Sequence, residues 1–289
     1  MLNKLKKFIK SSFFRNHHVT PVAPHDVRDS NNDPRELHYT TRNSILINSH
    51  IEYGRTAELF SHNQSVNPFI DAVSVAIESH DDNQLKILED TLSQYYSTVQ
   101  PKNALEWYGL SGEAAPMLKS IKPWAAPLPW VNQTIEGKKN SVKNWIRLDH
   151  QEVNSDISLE DGFTYFGPVS DEKIEVEALR YYNLIQSVCD NGYNRSDDFE
   201  GDICGEILIN KKGEWRWIAG PGQHRAVVLS ALDYQNVPVR ALRLVFENEV
   251  DIWPNVTSGL YTKKGASKLF HTIFHGNAPH IGQMIKKTV

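Results

Sequence analysis

Gly220, Gly222, Gln223, His224 and Arg225 are the residues whose types and spacing point most directly to chemistry. A glycine turn that runs into a helix gathers unpaired backbone N–H groups at one point, and the helix dipole adds positive potential there. Phosphate is the natural ligand of such a turn. Arg225 adds a bidentate fork and His224 a further donor, while Gly222 lets a ligand reach the backbone. Transfer of a phosphoryl group also needs a carboxylate to orient or deprotonate the acceptor hydroxyl. Glu206, near the strand that opens the loop, is a candidate carboxylate, and Arg180 a candidate ligand-binding cation. Arg180, at i, i+3 from Glu177, equally fits the pattern of a solvated ion pair, and Glu206 that of a strand-end surface residue.

The elements that must position these groups follow from apolar spacing. Leu179, Tyr182, Ile185, Val188 and Cys189 predict an amphipathic helix of about four turns from Val176, with Gly192 at its C-cap. Gly205 to Ile209 and Glu214 to Ala219 predict a hairpin about Asn210-Lys211-Lys212-Gly213. After the glycine loop, Ala226, Val227, Leu229 and Leu232 describe a compact helix, and Val237 to Val245 the next strand. The order is helix, strand, strand, glycine loop, helix, strand.

Upstream, Asn67-Pro68 opens a helix carrying Ile70, Val73 and Ile77, and Leu85, Leu88, Leu92, Tyr95, Tyr96 and Val99 form a second that stops before Pro101. Asn103 to Leu110 suggests a short third. From Lys122 to Trp145 the pattern breaks at Pro123, Pro127 and Pro129, which predicts an ordered loop. Its Trp124, Trp130 and Trp145 are expected to pack one lobe on the other. Residues 16 to 40 are poor in large apolar side chains and are expected to be a linker. The implied division is a leader and linker over 1–36, a mainly helical lobe over 37–150 and a second lobe over 151–289. The fold class is α+β.

A chain of 289 residues with 40 % hydrophobic and 23 % charged residues is globular in composition, and no run is apolar enough to span a bilayer. The net charge of −4 argues against a general nucleic-acid binder, so DNA is not an expected partner. Cys189 and Cys204 lack metal-site spacing and fit a reducing cytoplasm. His271 and His275, four apart, have no accompanying Glu-x-x pattern or nearby cysteine and are taken as helix histidines, so no metal ligand is assigned. Residues 1 to 15 alternate Leu2, Leu5, Phe8, Ile9, Phe13 and Phe14 with Lys4, Lys6, Lys7, Lys10 and Arg15. This is the pattern of a basic amphipathic helix peripheral to the inner face of a membrane, or of a partly ordered leader. Residues 251 to 261 are rich in large side chains and are expected to cover the site.

Trp217-Ile218-Ala219-Gly220-Pro221-Gly222-Gln223-His224-Arg225-Ala226, then Ala231-Leu232-Asp233-Tyr234 and Val237-Pro238-Val239, resemble the core of the ParB/sulfiredoxin superfamily. The likeness covers roughly residues 165 to 245 and implies a ParB/sulfiredoxin-like domain in the C-terminal half. It also implies a nucleotide at the Gly-x-His-Arg loop and a catalytic acid near the start of the preceding helix, the place of Glu177 and Glu175, with Arg180 one turn from Glu177. Sulfiredoxins place a nucleophilic cysteine where this chain has Gln223, and partition proteins carry Gly-Glu-Arg-Arg and a further DNA-binding domain. The family's kinases of free serine share the Gly-x-His-Arg ending but have an aspartate where this chain has Pro221. The resemblance implies an ATP-dependent phosphotransferase with Mg²⁺ as counter-ion, while the acidic balance, the aromatic loops and the basic leader point to a small hydroxyl compound or a sugar unit of a surface glycan as its acceptor. The alternative is a non-catalytic module that senses a nucleotide or grips a partner.

Overall fold

The computed structural model describes residues 23–63, 67–79, 83–151, 156–195, 201–277 and 280–281. The basic leader lies outside them. Six strands form one mixed sheet: β1 (His25–Asp26), β2 (Ile45–His50), β3 (Gly54–Thr56), β4 (Ile203–Ile209), β5 (Trp215–Ala219) and β6 (Asn236–Phe246), in the order β1-β2-β6-β4-β5-β3. The hairpin β4–β5 is antiparallel as its turn residues require, whereas β4 and β6 run parallel because a helix crosses between β5 and β6. The architecture is mixed helix and sheet, in keeping with α+β.

One face of the sheet is covered by α1 (Pro68–Glu78), α2 (Gln84–Thr98), α5 (Asp171–Asn191) and α6 (Gln223–Ala231), which pack on one another; α3 (Ala104–Trp107) and α4 (Ile135–Gln151) precede α5 in the chain. Alternation along β5 divides its side chains between the two faces. Trp217 stacks on His62, whose carbonyl accepts a bond from Ser230 of α6, while Arg216 points the other way onto Phe274. That second face carries α7 (Pro254–Thr257) and α8 (Lys263–His275), with Trp130 wedged against Trp253 and Phe270.

Local residue choice accounts for the helices that hold the site. Asn67 caps α1 by accepting from Phe69 N–H, with Pro68 in the first turn. In α2 the stripe Leu88, Leu92, Tyr95 and Tyr96 is buried, each such side chain adding roughly 1.5–3 kcal/mol. Tyr95 and Tyr96 donate their hydroxyls to the carbonyls of Tyr165 and Thr164, both at 2.6 Å, which fixes the segment entering α5. Ser170 caps α5 through Lys173 N–H, and Gly192 closes it at φ +67°.

Four expectations differ from the structure. The helix expected from Val176 begins at Asp171, because the Ser170 cap and the acidic first turn start it earlier than its apolar stripe does. The expected loop from Lys122 to Trp145 holds a helix from Ile135, whose core-facing residues Ile135, Val142, Trp145 and Ile146 leave a gap of almost two turns after the first and make a stripe too sparse to stand out. The expected linker is structured over its described part. Val27 is buried, His25 and Val27 donate to the carbonyls of Ser44 and Leu46, and Pro34–His38 forms a 3₁₀ turn capped by Asp33. Finally, the division near residue 150 is not respected by the sheet, although the stretch 37–150 is mainly helical. Strand β2 pairs along its whole length with β6 and β3 pairs with β5, so residues before 57 and after 200 share one core.

Candidate functional site

The glycine loop is built as a tight return from β5 to α6. Gly220 N–H donates to Cys204 O at 2.9 Å and Cys204 N–H to Pro221 O at 3.0 Å, so the loop is pinned to the start of β4. Gly222 is the N-cap of α6, left-handed at φ +88°, with no side-chain cap. A Cβ there would stand 2.7 Å from the carbonyl oxygen of Asp202. Both the backbone angle and the space demand glycine. The first helical bond runs from Ala226 N–H to Gly222 O. The N–H groups of Gln223, His224 and Arg225 precede it and mark the helix end that attracts an anion. Gly222→Ala is expected to destabilise the fold by about 1–3 kcal/mol, as denaturant titration would read.

Glu177 of α5 organises the first turn of α6. His224 Nε2–H donates to Glu177 Oε2 at 2.9 Å, and Arg180 Nη1 and Thr164 Oγ1 approach Glu177 Oε1 at 3.3 and 3.5 Å. The carboxylate is 1 % exposed while His224 and Arg180 reach the surface. Burial pushes Glu177 upward, but the His224 hydrogen bond and the Arg180 charge together outweigh it and hold the group down at about 2. It is therefore a buried anion with fixed partners, in contrast to the solvated pair its spacing also allowed. The imidazole of His224 is further fixed by the ring of Tyr181, 5.1 Å away.

Arg225 Nη1 donates to Asp202 O at 3.2 Å. The Asp202 carboxylate, fully buried, receives Arg195 Nε at 2.7 Å and Nη2 at 3.2 Å, with Arg240 Nη1 at 3.3 Å. Arg240 meets Asp202 as an ion pair, and its Nε donates to Ser44 Oγ at 3.2 Å. Asp202 thus links the loop to β6 and to the end of α5. Sequence reasoning missed Asp202, Arg195, Arg240, Thr164 and Tyr181. The available signal was Arg240, a cation inside the apolar run Val237 to Val245 that had to imply a buried acid.

The structure brings Glu177, Arg180, Gly220, Gly222, Gln223, His224 and Arg225 together and separates the other two candidates from them. Glu175 is exposed on α5, two residues from Glu177 and hence on another side of the helix. Glu206 shares the α8 face of the sheet, where it accepts from Trp130 Nε1 at 3.0 Å and pairs with Arg243. Ile252, Trp253 and Pro254 do not cover the glycine loop. With Trp130 and Arg243 they line a recess of about 170 Å³ on the Glu206 side. His271 and His275 stack at 5.8 Å, and His271 Nε2 lies 3.1 Å from Glu247. No helix among the described residues is long and apolar enough to cross a membrane. The chain matches no protein-family model, no curated protein and no solved structure.

Proposed function

We propose that the loop from Gly220 to Arg225 holds the phosphates of a nucleotide and that the chain is an ATP-dependent phosphotransferase of the ParB/sulfiredoxin-like type. The acceptor is a small hydroxyl compound or a sugar unit of a surface glycan, in the cytoplasm, with Mg²⁺ as the phosphate counter-ion. The observation that carries this reading is the Glu177–His224 pair at a glycine-capped helix start. Glu177 is too enclosed to meet an acceptor. It acts as a positioning residue that orients His224, and the imidazole becomes the group able to take the hydroxyl proton. Arg225 and the backbone N–H groups bear the phosphate charge, and Arg180 lies beside the pair as a second cation.

Calorimetry with Mg·ATP tests the binding half: wild type binds, Arg225→Ala binds at least about tenfold more weakly, and absence of binding by wild type removes the proposal. Transfer is tested by ADP release over a panel of alcohols, amino acids and glycans. In that assay His224→Gln is expected to lower turnover by about 10²-fold or more while changing ATP affinity little.

A second reading, a nucleotide-sensing or partner-binding module without catalysis, is favoured by one observation. Glu177, Glu206 and Asp202 are all engaged by other side chains, and Glu175 faces away. Saturable ATP binding without ADP release on any acceptor would select it.

A further inference from the structure

The turn after β3 holds a carboxylate that the glycine loop does not use. Thr56 N–H donates to Phe60 O at 2.8 Å and Leu59 N–H to Thr56 O at 3.2 Å, closing the turn. Leu59 sits at φ +74° inside it, a left-handed angle that a branched side chain adopts only under constraint. Leu59 is itself buried. Keeping it inside at that angle presents the preceding residue, Glu58, to a narrow cleft shared with Trp107, Tyr108, Trp124, Phe163 and Phe166.

The cleft's chemistry is lopsided. Its wall is aromatic, and its only acid is Glu58. The hydroxyl of Tyr108 is already committed to Ala126 O at 3.2 Å. Lys138 of α4 stands at the rim and attracts Glu58 across the gap without forming an ion pair with it. Apart from its own backbone amide, the Glu58 carboxylate meets no hydrogen-bond donor among the described residues. The side chain keeps some contact with solvent even though protein surrounds it, and the enclosure pushes its pKa up to about 7. The group is thus a recessed acid that lacks a cation of its own.

Ring faces carry negative quadrupole potential, so aromatic walls and a carboxylate favour the same guest, a positive one. An anion is repelled by both. A hard metal ion wants several oxygen ligands, and the cleft offers one carboxylate. The free space, about 20 Å³, admits little more than one water-sized group, which is the scale of a single –NH₃⁺ head.

We propose that this cleft binds the ammonium head of a small organic amine, paired with Glu58 and seated among the rings of Trp107, Trp124 and Phe163. The site is distinct from that of the nucleotide reading, since none of its lining residues belongs to the Gly220–Arg225 loop. Lys138 is its internal competitor: when no amine is bound, its charge is the nearest compensation for Glu58.

The test is isothermal titration of the whole chain at pH 8 with methylammonium, ethylammonium and butylammonium chlorides, at ionic strength held constant with sodium chloride. Saturable binding of at least one amine is expected. Glu58→Gln, which keeps the shape and removes the charge, should weaken it by about tenfold or more. Trp124→Leu should weaken it severalfold. Lys138→Gln, on the helix rim, should tighten it severalfold, an effect that a merely structural role for the cleft would not produce. Near-ultraviolet dichroism checks that each variant is folded. Absence of saturable binding in both wild type and Lys138→Gln would overturn the proposal, as would equal affinity in folded Glu58→Gln.

Discussion

Glu177→Ala is expected to lose about 3–5 kcal/mol of stability in urea or guanidinium titrations, the largest loss of any single change at the glycine loop. The reason is what it leaves behind: Arg180 and His224, both turned inward on a carboxylate that is 1 % exposed, lose their common acceptor. Glu177→Gln keeps an acceptor of the same shape and should lose less, about 1–3 kcal/mol. The two variants also differ from wild type in pH dependence. The folded-state pKa of Glu177 is depressed to about 2 from an ordinary 4.5, so its contribution is complete above pH 4.5 and disappears as pH falls toward 2. That span corresponds to about 3 kcal/mol. Acid titrations of wild type and Glu177→Gln should therefore converge below pH 4.5. Parallel curves through that window would show that the carboxylate is not the stabilising partner.

The second large effect begins at a milder pH. His62 is 1 % exposed, lies flat against Trp217 at 5.2 Å, and neither ring nitrogen meets a partner among the described residues. Burial, reinforced by the nearby Arg55 charge, pulls its pKa down from 6.5 to about 3. Only the neutral ring is compatible with the folded chain. For a base with a depressed pKa, stability is complete above pH 6.5 and is lost as pH falls toward 3. At pH 5 the loss is about 2 kcal/mol. Glu58 and Asp71, whose pKa values burial raises to about 7 and about 6, act with the opposite sign in part of this range. The wild-type curve alone therefore understates His62. The informative measurement is the difference between wild type and His62→Phe, which retains the ring stack. The variant should gain about 2 kcal/mol on wild type between pH 7.5 and pH 5, and a constant difference across those pH values would contradict the assignment.

How much of this was legible in the sequence depended on how far apart the cooperating residues lie. The hairpin β4–β5, the glycine loop and α6 are local objects whose spacing states them directly, and α2 declares itself through Leu88, Leu92, Tyr95 and Tyr96. The strand Ile45–His50 does not, because Ser44-Ile45-Leu46-Ile47 is buried on both sides and shows no alternation. His25–Asp26 is a strand only because β2 is beside it. At the site, the glycine geometry and the role of His224 and Arg225 at a helix start could be read from spacing. The enclosure of Glu177 could not, since it depends on Thr164 and on a segment tied down by Tyr95 and Tyr96 from another helix. The Asp202 cluster joins residues 195, 202, 225 and 240 through the tertiary fold. No local pattern could have announced it beyond the stray charge of Arg240.

The strand order has a consequence for how the chain is made. The strands synthesised first, β1, β2 and β3, end up at the two outer flanks of the sheet, and the strands synthesised last fill its middle. During translation β1 and β2 can pair only with each other, and β3 lacks its neighbour β5, until residues beyond 200 leave the ribosome. The search for these pairings spans most of the polypeptide, which makes folding slow and exposes intermediates. A fragment carrying only the C-terminal half would present bare edges on both β6 and β5, the geometry that recruits a second chain. The glycine loop therefore becomes a defined site only when both ends of the polypeptide have met.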